Sequence, residues 1–105
     1  MEREALLKLV KQAIQEVEPQ AQIILFGSRA REETVPDSSD WDFLILVDGS
    51  VDDSRKDKIR HRLYEIEWDI GEVLSSIIYN EKEWNCSHRK KLPLYINVEK
   101  EGLIV

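Results

Sequence analysis

The chain has 105 residues, 42% of them hydrophobic and 34% charged, which fits one folded domain over 1–105 and excludes a disordered tract or two separate cores. Its formal charge of −6 opposes direct nucleic-acid binding, which requires a clustered cationic surface. No apolar run approaches the roughly 20 residues of a membrane helix.

The start, MEREALLKLV, carries acids and bases in its first turns and does not read as a signal peptide. The single cysteine, Cys86, has no internal disulfide partner, so the expected compartment is the cytoplasm. Leu6, Leu7, Val10, Ala13, Ile14 and Val17 recur at spacings of three and four, which predicts an amphipathic helix over 4–17, ended by Pro19. QIILF at 22–26 reads as a short strand. WDFLILV at 41–47 reads as a central strand buried on both faces. Between them, Pro36, Asp37, Ser38 and Ser39 form a loop of turn-favouring residues.

DGSVDDS at 48–54 is the next turn and offers helix caps. Ile59, Leu63, Tyr64 and Ile66 then recur at helical spacing over 55–67, with Asp69 and Gly71 read as an interruption. EVLSSIIY at 72–79 predicts a third strand. Asn80 with Glu83 resembles a cap and its reciprocal partner, starting a helix near 81. Pro93 opens a last helix and Gly102 closes it, before a terminal strand at 103–105. The expected class is α+β, a small mixed sheet of about four strands with flanking helices.

The chemistry concentrates in ILFGSRAREETVPDSSDWDFLILV, residues 24–47. Side chains two apart on a strand share a face, so Asp40 and Asp42 project together and Trp41 turns the other way. Two adjacent carboxylates repel unless a cation sits between them. Mg²⁺ suits them, since it takes one or two protein carboxylates and fills its other positions with water and phosphate. Gly27-Ser28, directly after a strand, lets the backbone approach a ligand closely. A short helix over 28–32 would aim its N–H groups at an anion. Phosphate on one side and metal on the other is the arrangement that phosphoryl or nucleotidyl transfer needs.

The stretch GSRAR…SDWDFLILV resembles the signature of the minimal nucleotidyltransferase family, within the DNA polymerase β-like superfamily. The ending PLYINVEKEGLIV is similar to the close of many such proteins. The resemblance implies the polymerase-β-like fold, with a nucleoside monophosphate, AMP from ATP or the equivalent from another NTP, moved to an acceptor hydroxyl. It implies Asp40 and Asp42 as Mg²⁺ ligands, with scope for a second metal ion. It also implies Gly27 and Ser28 as phosphate contacts, with Arg29 and Arg31 as secondary ones. Proteins of this kind often act as the antitoxin of a separately encoded, helical HEPN-type toxin.

The chain departs from the family pattern at two places. Glu32 stands where a glycine commonly closes the small helix. The third carboxylate, usual on the next strand, is replaced by serines, which leaves Glu72 as the substitute and Asp69 as a poorer one. Without a third acid no general base is evident. The alternative reading is therefore a catalytically weak or inactive antitoxin that keeps the fold and neutralises by occlusion. A drug-modifying transferase is a weaker third reading, since such enzymes usually carry an extra domain.

Elsewhere the bland readings prevail. RKDKIRHR at 55–62 and HRKK at 88–91 are taken as solvated helix faces. Cys86 and His88 lack the second ligand pair of a structural zinc site. His61 is expected to face solvent, and Tyr79 and Tyr95 to sit in the core. Among Trp41, Trp68 and Trp84, an exposed one would mark a partner surface.

Overall fold

The computed structural model describes residues 2–30, 40–86 and 88–105. In chain order they form helix α1 (Arg3–Val17), strands β1 (Gln22–Phe26) and β2 (Trp41–Val47), and helix α2 (Asp53–Ile70). Strand β3 (Leu74–Asn80), the one-turn helix α3 (Glu81–Trp84), a 3₁₀ turn, helix α4 (Pro93–Glu101) and strand β4 (Leu103–Ile104) complete it. The sheet order is β3-β2-β1-β4. β1 pairs antiparallel with β2 and β4, while β2 and β3 run parallel. This is the mixed four-stranded α+β sheet expected from the sequence.

Alternation along β2 decides the layering. Trp41, Phe43, Ile45 and Val47 point to one face and join Leu6, Val10 and Ile14 of α1 with Ile59, Leu63 and Ile66 of α2. Leu44 and Leu46 point to the other and meet Trp84 of α3 and Val98 of α4. Burial on both faces explains why β2 reads as an uninterrupted apolar run. Tyr79 and Tyr95 pack against this second cluster, with ring centroids 5.5 and 5.1 Å from Trp84. Trp41 and Trp84 are buried, whereas Trp68 is 89% exposed.

The local signals fall largely where expected. Asp52 caps α2 by accepting from the Arg55 N–H, and Asn80 caps α3 by accepting from Lys82 and Glu83. Asp69 does not interrupt α2, which runs on to Ile70 and ends at Gly71 with φ +70°. A single aspartate costs a helix little, while a left-handed glycine terminates it. The strand accordingly starts at Leu74, two residues later than the sequence suggests.

The basic run at the start of α2 is more than a solvated face. The Arg55 guanidinium donates to both Glu18 carboxylate oxygens at 2.7 Å and to Asp48, and these acids raise its pKa further above the ordinary range. Arg62 reaches Glu16 at 2.6 Å and Glu65 at 3.1 Å. Both side chains tie α2 to neighbouring elements. His61 is exposed, as expected, with its ring 3.6 Å from Glu65.

Candidate active site

β1 ends at Phe26, and Gly27 turns the chain with φ +77°, a conformation open to glycine at little cost. Residues 28–30 continue as a turn, closed by the Ala30 N–H donating to the Gly27 carbonyl at 3.1 Å. The rest of the expected short helix, Arg31 and the loop Pro36 to Ser39 lie outside the described residues.

Antiparallel pairing places Phe26 opposite Asp42, so the glycine turn and the strand entrance are neighbours. They are close enough that a Cβ built on Gly27 would stand 2.6 Å from Asp42 Oδ2. The turn and the carboxylate thus occupy one site, and only a residue without a side chain fits between them.

Asp42 is half-buried and Asp40 exposed. The Asp42 carboxyl is held above its ordinary pKa of 3.8, first by burial and then by the charge of Asp40. The charge of Asp40 therefore loads Asp42, as their spacing on the strand implies. That load suits a divalent cation, which would lower the cost of ionising both. Carboxylate oxygens beside a glycine turn are an appropriate donor set for a divalent cation with phosphate.

The third strand supplies no acid here. Its residue in register with Asp42 is Ser75, whose hydroxyl donates to Asp40 Oδ2 at 3.5 Å. Glu72, the expected substitute, is engaged elsewhere. Its Oε1 accepts from the Trp41 indole Nε1 at 3.1 Å and lies 3.6 Å from Arg29 Nη2. Trp41 belongs to the α1–α2 side of the sheet, away from Asp42. Asp69 is exposed on α2, whose apolar face packs on that same side. Among the described residues no three His, Cys, Asp or Glu side chains converge to hold a metal, so neither acid completes a carboxylate triad with the aspartates.

Arg29, which the resemblance implies as a secondary phosphate contact, meets Trp41 and Glu72. Its guanidinium lies over the Trp41 ring, 4.5 Å from the centroid, with the side chain 13% exposed. Ser75 and Trp41 are the site residues that sequence reasoning passed over. The serines of EVLSSIIY were visible as a missing acid, but no local signal links Trp41 to Glu72.

The nucleotidyltransferase domain family matches residues 7–104. Among solved structures, a chain in a mutant form of the toxin-antitoxin MntA-HpeT aligns with 100% of this chain and 72% of its own length, at a TM-score of 0.60 and 17% identity. Another mutant form aligns with 99% of this chain and 71% of its own, at 0.58 and 15% identity. At these identities the likeness is one of fold. Comparison with curated proteins finds no sequence match. With nearly its whole length matched, the chain belongs to the nucleotidyltransferase domain family.

Proposed function

We propose that the chain transfers a nucleoside monophosphate, AMP from ATP, to an acceptor hydroxyl. Asp40 and Asp42 would hold Mg²⁺, and the Gly27-Ser28 turn would take the triphosphate. The observation that carries this reading is the contact between the glycine turn and Asp42, which joins an anion-binding element to a carboxylate pair. The turn offers backbone N–H groups and the Ser28 hydroxyl to phosphate oxygens, and the half-buried position of Asp42 strengthens electrostatic interactions there. When bound, the metal ion would neutralise charge on the carboxylates and phosphates.

The fold likeness to a toxin-antitoxin structure supports a setting in which this chain is the antitoxin and a separately encoded HEPN-type protein is its partner and acceptor. The second reading, neutralisation by occlusion, draws on a specific observation: Ser75 stands where a third acid would activate the acceptor. A serine hydroxyl is not a base near neutral pH.

Isothermal titration with Mg²⁺ and ATP, on wild type and Asp42→Asn, tests the shared premise. Metal-dependent binding by wild type alone is expected, and equal binding by both removes the site from the account. Transfer of labelled AMP to the purified partner then separates the two readings. Label from wild type and none from the variant supports catalysis, and a tight unlabelled complex supports occlusion.

A further inference from the structure

Three side chains that the transfer reading leaves without a role meet at one edge of the site, where β1 ends and β2 and β3 begin. Arg29 follows the turn after β1, Trp41 opens β2 and Glu72 precedes β3. Trp41 is 4% exposed, and its indole N–H, which burial obliges to find a partner, donates to Glu72. The Arg29 guanidinium lies over the indole, 4.5 Å from its centroid, and pairs with the same Glu72 oxygen. The guanidinium, indole and carboxylate thereby link the end of β1 to the starts of β2 and β3.

Their placement bears on the site. Trp41 stands between Asp40 and Asp42, and side chains alternate across a strand. Holding the indole therefore fixes the rotation of β2 about its axis, which fixes where both carboxylates point. Arg29 directly follows Ser28, so anchoring its guanidinium fixes the glycine turn against the same strand. Arg3 adds a tie by donating to the Ala30 carbonyl at 3.4 Å. A purely apolar contact would fill the space, but it lacks the directionality of an indole hydrogen bond and the attraction of a cation over the ring.

We propose that Arg29, Trp41 and Glu72 are positioning residues, a brace on the reverse of the sheet that sets the Gly27-Ser28 turn against Asp40 and Asp42. The inference rests on the nucleotide-binding reading above for its functional consequence, though not for its geometry.

The test uses ¹H–¹⁵N spectra and Mg²⁺–ATP titration of the full chain as Glu72→Ala, Glu72→Gln, Arg29→Lys and Trp41→Phe. In Glu72→Ala the amide signals of Gly27, Ser28 and Asp42 should move, together with the Trp41 indole signal. Affinity for Mg²⁺–ATP should fall about tenfold, as for a site displaced by a fraction of an ångström. Glu72→Gln keeps an acceptor for the indole but loses the charge facing Arg29, so it should lie between Glu72→Ala and wild type. It also serves if Glu72→Ala does not fold. Arg29→Lys keeps the charge but not the guanidinium over the ring, and should retain only part of the affinity. Glu72→Ala combined with Trp41→Phe should resemble the worse single variant, because the two side chains act as one unit.

Unmoved Gly27, Ser28 and Asp42 signals with affinity within twofold of wild type overturn the proposal, as do strictly additive effects in the double variant. If wild type binds no Mg²⁺–ATP, the nucleotide reading fails separately. The amide shifts alone then decide whether the brace exists.

Discussion

The two faces of the sheet are built to different ends. On one, α1 and α2 press Leu6, Val10, Ile14, Ile59, Leu63 and Ile66 onto Phe43, Ile45 and Val47. Arg55 and Arg62 lock the helices in place from the rim. On the other, α3 and α4 cover Leu44 and Leu46, and the next residue back on that face is Asp42, beside a glycine turn. The contrast shows how a small domain keeps a charge-loaded site. Burial of apolar surface on the closed face holds β2 in place, and the strained group is carried by the same strand on the open one.

Substitutions of Phe43 on one face and Asp42 on the other should therefore move stability in opposite directions. The largest expected effect is Phe43→Ala, which removes a fully buried ring from the closed face and should cost about 3–5 kcal/mol in denaturant unfolding. A loss below about 1 kcal/mol there means that the core does not carry β2.

Gly27→Ala comes next. The positive φ alone costs about 1–2 kcal/mol for a residue with a Cβ, and the added atom meets Asp42 Oδ2 at 2.6 Å. Melting temperature should fall and Mg²⁺–ATP affinity should drop at least tenfold, a pair of readings that separates this turn from an ordinary loop.

Asp42→Asn sharpens the comparison because it should stabilise. The folded carboxyl has a raised pKa, so the folded state holds this proton more tightly than the unfolded chain. Stability is then lost as pH climbs from the ordinary value of 3.8 through the folded value, and at pH 7 the full penalty is present. The variant should melt higher than wild type at pH 7 without metal, and the gain should vanish below pH 3.8. Mg²⁺ should raise the melting temperature of wild type and leave the variant unmoved. A variant that melts lower at pH 7 contradicts the crowding of Asp40 and Asp42.

The smallest effect belongs to Arg55→Met, at the edge of the closed face. Its paired bonds to Glu18 are partly exposed, so the loss should be about 1 kcal/mol and shrink in high salt.

Most of the fold was legible because its signals are local. The stripe in 4–17, the branched strands, the caps at Asp52 and Asn80, and Pro93 at a helix start each depend on residues within a few positions of one another. The end of α2 differs from the expected 67 because Gly71 alone stops the helix and Asp69 does not. In the candidate site, the shared face of Asp40 and Asp42 was legible from strand alternation. The partners of Glu72 were not, since Trp41 lies 31 residues away in sequence and no spacing rule connects them. Arg29 is similar. Nothing in the residues after Gly-Ser signals the buried indole beneath the guanidinium.

By itself, then, the sequence determined the elements, the central place of β2 and the crowding of two carboxylates beside a glycine turn, because periodicity and backbone sterics act over a few residues. Tertiary structure alone decided the sheet order, which acid reaches which partner, and that Ser75 is the β3 residue in register with Asp42. Those outcomes depend on which distant segments pack together, and packing is settled by the burial of the whole chain at once.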